Sequence, residues 1–535
     1  MRRVLVAMCV ALALSAGRAA ATDRESEQKL DAALRARARA AQAPGAPWTT
    51  SRVIVRTVDG TPARDLIAAA NGVSGRFFAW LGGQVARVPD ATLEWLASQP
   101  EIAGLSLDRA VSGTLQNAAS SVGARWVAER LGFDGKGVGV ATIDSGVAGW
   151  HDDLDGRVAH FADFVGGQTG AYDDYGHGTH VAGIIAGSGR DSDGLRRGLA
   201  PGAHLVVLKA LDTAGNGYTS NVIAAIDYAI AHRAAYNIRV INLSVAAGVY
   251  ESYLKDPLTL AAKRAVDAGI VVVAAAGNNG RRNGEPEYGG IASPGNAPWV
   301  LTVGAVNEMG TDDRADDSVA GFSSRGSAID RSAKPDLVAP GVGIESTAES
   351  SSALFAANPG SRLWGTTPTV TEPYLRLTGT SMSAPIVTAA IALMLEANPA
   401  LTPNAIKAIL QFTAEAHGGV DHLTQGAGFL NARGAVELAR AFANSSSPWP
   451  LELTPDPVRW NRHIIWGRRR VPVPMLYAGA NAWRLGVTWG DSRSANGEPI
   501  RWGIECPLSN EACSAQPGAD PLLAIPGPTP GEVKR

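Results

Sequence analysis

The sequence predicts an α/β protein: a doubly wound, mostly parallel sheet flanked by helices, with a small α+β unit before it and a small β-rich tail after it. Three observations lead there. From about residue 135 to 443, uniformly apolar segments such as "GVGVATI", "HLVVLKA" and "IVVVAAAG" alternate with helical ones such as "SNVIAAIDYAIAHRAAY" and "PLTLAAKRAVDAG". Strands apolar at every position are buried on both faces, as in a parallel sheet covered by helices. On either side of this span the composition changes character.

Residues 1–21 carry Arg2 and Arg3 ahead of a short apolar core, Val4 to Ala16, and end in small residues. That is the pattern of a secretory signal peptide, too short for a membrane anchor. No later stretch reaches transmembrane length without charges or turn residues, so no membrane anchor is expected. The mature chain is expected to be secreted, either extracellular or periplasmic.

Residues 22–50 are rich in Ala and charge and end in a Pro/Gly break, which reads as a solvated helix or arm. Residues 51–112 read as an independent unit. "SRVIVRTV" is a strand and "TPARDLIAAANG" a helix ending at Gly72. "RFFAWLGGQVARV" is a hairpin, "DATLEWLASQP" a helix with Asp90 as N-cap, and "IAGLSLDRAV" a strand. That order predicts a split-βαβ, ferredoxin-like fold. "SGTLQNAASSVG" reads as an exposed linker.

The central domain is drawn at 113–443. Within it "TPNAIKAILQFTAEA" opens a helix with Thr402 as N-cap and Pro403 at N1. Residues 444–535 begin with a Pro/Ser linker. "IIWG", "VTWG" and "IRWG" follow at uneven spacing, suggesting short strands with tight turns.

Composition excludes some partners. The chain has 535 residues, 45% apolar and 18% charged, with a formal net charge of −2. A near-neutral balance argues against nucleic acid held by bulk electrostatics. Of the 3 cysteines, Cys9 leaves with the signal. Cys506 and Cys513 read as one local disulfide in an exported chain.

Chemistry is sought at the carboxyl ends of the strands. Asp144 ends "GVGVATIDSGV", His177 starts "HGTHVAGIIAG", and Ser381 lies in "GTSMSAP" at the start of an apolar helix. Serine attack on a peptide bond needs these three types. The serine is the nucleophile, the histidine moves its proton, and a buried carboxylate fixes the imidazole. Asp…His…Ser is one of the chain orders that solves this problem. Asn278, in "AAAGNNG" after a strand, can offer its amide to the oxyanion. The Ser381 N–H, at a helix N-terminus, offers a second donor.

"VATIDSGV", "HGTHVAGIIAG", "VINLSV", "AAAGNNG", "FSSRG", "KPDLVAPG" and "GTSMSAP" resemble, in order, the motifs of the subtilisin-like serine proteases. The resemblance implies a subtilisin-like fold over roughly 130–440, with Asp144, His177 and Ser381 as the triad and Asn278 in the oxyanion hole. It also implies that Ser244, Val245 and Ala246 form one wall of the substrate pocket and Ala275, Ala276 and Gly277 the other. The 51–112 unit resembles these proteases' inhibitory propeptide, with cleavage expected roughly within 105–122. Partners would be protein or peptide substrates and the chain's own prodomain, with a monomer expected. No cofactor is required for chemistry. Structural calcium is allowed for, with "DLDG" (153–156) and "DSDG" (191–194) the acidic turns considered and no ligands assigned. Residues 347–372 exceed what a minimal member would carry and read as a surface loop near the cleft.

Each sharp reading has a plain rival. Ser381 could be only a helix cap, and Ser383, one turn-position further in, is read as a plain small residue of that helix. His177 and His180 stand three apart without the glutamate of a metalloprotease helix, so His180 reads as structural. A nucleotide-binding protein lacks its glycine-rich turn. The runner-up is a catalytically silent scaffold on the same fold, but all four site residue types are present.

Overall fold

The computed structural model describes Ser26 and residues 28–107, 114–443 and 458–503, apart from Trp80, Ala328 and Pro474. The signal segment, most of the Pro/Ser linker, Cys506 and Cys513 lie outside the described residues. The chain divides into two compact units, Met1–Val111 and Ser112–Arg535.

The first unit begins with a helix, α1 (Ala32–Ala41). Four antiparallel strands follow, β1 (Thr50–Thr57), β2 (Val73–Phe78), β3 (Gly83–Pro89) and β4 (Ile102–Leu107), in the order β2-β3-β1-β4. Helix α2 (Arg64–Ala69) joins β1 to β2, and α3 (Leu93–Ser98) joins β3 to β4. Of the solvated helix or disordered arm expected at 22–50, the helix is present, and its solvation is corrected: one face of α1 belongs to this unit's core. Leu34 and Ala38, four apart on one face of α1, are buried with Leu30, which precedes the helix, and with Leu96 and Leu105. Asp31 caps the helix through Leu34 N–H and also accepts Leu107 N–H at 2.6 Å. Asp90 is not the N-cap of α3. It starts a 3₁₀ turn, and its carboxylate takes the Thr49 hydroxyl at 2.7 Å instead.

The second unit opens with α4 (Thr114–Ser121) and α5 (Ala124–Leu131). The linker expected at 112–123 is helical over Thr114–Ser121, and Ala118 and Val122 are buried in this unit's core. Small polar residues disguised it, because a helix of Ala and Ser can lie close against a neighbour with little apolar sequence signal.

Eight strands then form one sheet: β5 (Gly139–Asp144), β6 (Val158–Asp163), β7 (His204–Lys209), β8 (Ile238–Leu243), β9 (Val271–Ala275), β10 (Leu301–Asn307), β11 (Ser318–Val319) and β12 (Leu337–Pro340). Their order is β11-β10-β9-β8-β5-β7-β6, with β12 also paired to β10. All pairs are parallel except β10–β11. The two faces alternate strictly. Val140, Val207, Val240 and Val273 enter one core with α6 (His177–Ala186) and α9 (Thr380–Ala397). Ile143, Leu208, Ile241 and Val272 enter the other with α7 (Thr219–Ala231) and α8 (Pro257–Asp267). This is the doubly wound arrangement. Its switch point lies between β5 and β8, since the chain leaves β5 toward β7 and returns on the other side at β8.

Helix α9 is long and apolar enough to cross a membrane by composition, but 83% of that stretch is buried inside the protein, so it serves as a core helix. Helix α10 (Pro403–Thr413) has Thr402 as N-cap and Pro403 at its start, and α11 (Ala432–Ala443) completes this layer.

The β-rich tail is corrected. Residues 458–503 hold a single hairpin, β13 (His463–Trp466) with β14 (Arg469–Pro472). Only "IIWG" lies in a strand. The glycines serve turns instead, with Gly467 and Gly490 at φ +65° and +100°. A Cβ on Gly490 would sit 2.8 Å from the Gly467 Cα, so the two backbones meet where no side chain fits. That contact brings the tryptophans together, Trp466 at 4.6 Å from Trp489 and 5.3 Å from Trp502 between ring centroids.

Candidate active site

The switch point is where the predicted residues converge. Asp144 is the last residue of β5 and is fully buried. Ser244 follows β8 directly, and Asn278 lies just beyond β9. His177 and Ser381 each fall in the first turn of a helix, α6 and α9.

His177 Nδ1 is 2.8 Å from Asp144 Oδ1, and the same oxygen accepts the Ser145 N–H at 2.8 Å. Because a carboxylate only accepts, it fixes the proton on Nδ1 and leaves Nε2 as the basic nitrogen. Burial pulls the His177 pKa down, but the Asp144 charge, its hydrogen bond and Asp173 together carry it above the ordinary imidazole value.

Asp173 was not singled out from sequence. It is buried and holds the start of α6, accepting Gly176 N–H at 2.7 Å, Thr179 N–H at 2.8 Å and the Thr179 hydroxyl at 2.6 Å. Its position four residues ahead of His177 in an acidic turn was the available signal. Lys209, at the end of β7, ties the floor by donating to Ser145 O at 2.6 Å and Leu211 O at 2.9 Å.

Ser381 Oγ donates to the Ser244 carbonyl at 3.0 Å, while Ser244 Oγ donates to the Ser381 carbonyl at 2.9 Å. The nucleophile candidate is thus turned to the backbone of the opposite wall. Rotation about its Cα–Cβ bond is what aims the hydroxyl at an imidazole, and such bonds commonly tighten only with substrate bound. Asn278 Oδ1 accepts both the Thr380 N–H and the Thr380 hydroxyl, each at 3.0 Å.

His177, Ser244, Val245, Ala246, Ala275, Gly277, Asn278 and Ser381 line one open cleft of about 620 Å³. Asp144 sits behind His177, out of the lining. Ala276 is corrected. It is fully buried, and its backbone is spent on Val303 O at 2.9 Å and on the Ala292 N–H at 3.2 Å, so it faces the sheet rather than the cleft. Sequence reasoning missed the third wall, Gly290 to Ala292. It is held to the first wall by paired hydrogen bonds between Ala247 and Ser293, both 2.9 Å. No lining residue carries a fixed charge.

His180 is buried, with Nε2 within 3.1 Å of Ile344 O and 2.9 Å of Leu375 O. Burial and His177 drive its pKa down to about 3, so it stays neutral. The segment 347–372 contains a short helix, Ala353–Ala357, whose first N–H groups donate to Asp174 O and Tyr175 O at 3.0 and 2.9 Å. It runs beside the chain that leads into His177.

His151, Asp153 and Asp191 bring potential ligand atoms within 4.8 Å of one another. They do not match calcium, which takes six to eight oxygens. His151 offers nitrogen, and both its ring nitrogens are engaged by Pro373 O and Asp153 N–H. The Asp153 oxygens already accept Asp191 N–H at 2.9 Å and the Tyr374 hydroxyl at 2.7 Å.

A parallel α/β sheet with serine, imidazole and an oriented amide on one uncharged cleft at its switch point defines a serine endopeptidase. The chain belongs to the subtilase family, whose model matches residues 135–430. It is 38% identical over 354 residues to the serine protease AprX of Bacillus subtilis (strain 168), covering 65% of this chain and 77% of that protein. Subtilisin E of the same organism is 32% identical over 407 residues, covering 74% and 93%. A solved cold-adapted subtilisin-like serine proteinase aligns at 30% identity over 56% of this chain and 88% of that one, with a TM-score of 0.41. The enzyme is therefore a subtilisin-like serine endopeptidase, and its chemistry needs no cofactor.

Proposed function

We propose that Ser381 is the nucleophile of this endopeptidase, His177 its general base and then acid, and Asp144 the group that orients and stabilises the imidazolium. The observation that carries this is the 2.8 Å hydrogen bond between buried Asp144 and His177, at the edge of the cleft that Ser381 and Asn278 also line. Substrate enters along Ser244–Ala246. The Ser381 hydroxyl leaves Ser244 O for His177 Nε2, which takes its proton as Oγ attacks the carbonyl carbon. The Asn278 amide and the Ser381 N–H receive the oxyanion, and α9 adds its N-terminal dipole. His177 then protonates the leaving amine, and water repeats the sequence on the acyl-enzyme.

Ala246, Ala275, Gly277 and Ala292 leave room for a medium or large apolar P1 side chain. The absence of fixed charge in the lining argues against a basic one. Peptide-library profiling should return apolar P1 residues.

The enzyme is proposed to be exported and made as a zymogen, with residues up to 107 as the inhibitory prodomain. Two compact units divided near Val111 support that reading. Because α4 contributes to the second unit's core, the processing bond is proposed between Leu107 and Thr114. Ser381→Ala should abolish both amidolysis and processing. If that variant still cleaves itself, the assignment is wrong. Failure of a serine-directed phosphonate to label the wild-type chain would favour a silent scaffold instead.

A further inference from the structure

The loop between β10 and β11, "NEMGTDDRADD" (307–317), stands apart from the active site. Strands β10 and β11 pair Val306 with Val319 and Asn307 with Ser318. Carrying that register one step further sets Glu308 opposite Asp317. Cross-strand partners lie roughly 4.5–5.5 Å apart at Cβ, and like charges placed so repel. Glu308 is only 2% exposed. Neither of its carboxylate oxygens has a hydrogen-bond partner, and Asp317 Oδ1 is buried without one as well.

The cation nearest at hand, Arg314, lowers the Asp317 pKa but does not outweigh its burial, and it holds other partners as well. Arg314 pairs with Glu415 at 2.8 Å and donates to Ser121 O and Leu430 O at 3.1 and 3.0 Å. Burial, then Asp317 and Asp312, push Glu308 up to about 9, which reports the same uncompensated crowding of carboxylates. A buried carboxylate is normally paired or bound to a metal.

We propose that Glu308 and Asp317 bind a hard divalent cation, calcium, across the neck of the 307–317 hairpin. Three unpartnered oxygens point to oxygen-only coordination, which selects calcium over zinc or copper. Loop carbonyls and water complete the shell, and the exposed Asp312 adds charge at its mouth. The ion would tie β10, whose neighbour β9 leads to Asn278, to the loop that closes on β11. The proposal does not depend on the catalytic assignments, because every readout below is binding or stability.

The test uses the full chain carrying Ser381→Ala, so that self-cleavage does not blur it, with Glu308→Gln and Asp317→Asn added singly. Calorimetric titration with calcium chloride after chelation should show one bound ion fewer per chain in each variant. Thermal midpoints should also cross. In EDTA each variant should melt above its parent, because a buried repulsion is relieved. In millimolar calcium each should melt below it, because the ion is lost. Unchanged stoichiometry, or a shift of the same sign and size in both buffers, overturns the site and leaves a proton shared between the two carboxyls as the occupant.

Discussion

Thr380 places both its N–H and its hydroxyl on Asn278 Oδ1, each at 3.0 Å. Two donors on one oxygen fix which end of the amide is Oδ1 and leave Nδ2 as the donor end. The hydroxyl in turn accepts the Gly277 N–H at 3.1 Å, which ties the end of β9 to the start of α9. Asn278→Ala should lower kcat by about 10²–10³, a size that itself comes from a subtilisin, with KM little changed. Thr380→Val keeps the backbone donor but loses both hydroxyl hydrogen bonds, to Asn278 Oδ1 and from the Gly277 N–H. At about 1 kcal/mol each, a loss of about five-fold to thirty-fold is expected. Steady-state kinetics on one peptide anilide separates the two. Equal losses would show that Thr380 acts on more than the amide.

The pH profile follows from His177. Its pKa is raised, with Asp144 the largest favourable cause and Asp173 a smaller one. Activity needs the neutral imidazole, so the acid limb of kcat/KM should lie above the ordinary imidazole pKa. Removing a negative neighbour must move that limb to lower pH. Asp173→Asn should do so modestly while also weakening the start of α6. Asp144→Asn should lose about 10⁴ in kcat, because the amide can present its N–H to Nδ1 and stabilise the wrong tautomer. The groups facing His177 are Asp144, Asp173, Tyr175 and His180, and among these only the two aspartates can produce the downward shift. A limb unmoved in Asp173→Asn would remove that residue from the electrostatics.

Much of this site could be read from sequence because its parts sit at strand ends, where a polar residue interrupts an apolar run. Asp144, Ser244 and Asn278 each follow such a run directly. Asp173 and the Gly290–Ala292 wall were hidden because they come from loops, whose partners are set by tertiary closure rather than by period. The same holds for α1 and α4. In α1, Leu34 and Ala38 share one face diluted by arginines, and charge content suggested solvent where that face is core. The Trp-Gly repeats misled in the other direction. Trp has high strand propensity, yet here two of the three repeats are turn-and-ring contacts, decided by packing rather than backbone preference.

A buried ion cluster supports the β12 edge of the sheet. Asp336 Oδ2 accepts Lys334 Nζ at 2.7 Å, and Oδ1 accepts Lys407 Nζ and Gln411 Nε2, both at 3.0 Å. Burial lowers the pKa of both lysines, and Asp336 opposes that shift. Asp336→Asn would leave two buried ammonium groups facing one neutral amide. A loss of about 3–5 kcal/mol is expected, the usual cost of breaking a buried pair from one side. Urea denaturation of the Ser381→Ala chain measures it, and a change below about 1 kcal/mol would mean that both lysines are neutral in the native state.

The last prediction concerns residues 458–503, which carry the Trp-Gly repeats that follow the Pro/Ser linker. Their apolar side chains, Ile464, Trp466, Val471, Trp489 and Ile500, belong to the same core as α9 and α10. The polar seams run the same way. Asn404, on α10, donates to Ala482 O at 3.0 Å and Val487 O at 2.9 Å, and Gln411 Oε1 accepts the Ile465 N–H at 2.6 Å. Trp489 is 2% exposed, donates its indole N–H to Ile465 O at 2.7 Å, and lies 4.9 Å beneath Lys407 Nζ. Removing the segment would bare one side of α10 and leave Asn404 and Gln411 facing water or apolar surface. Trp489→Ala alone should cost about 3–5 kcal/mol, as for other buried aromatics. A chain stopped after Ala443 should therefore be insoluble or melt far below the full chain. If it instead folds with an unchanged thermal midpoint and full amidolysis, the segment is an appendage and its shared core contributes nothing to the enzyme.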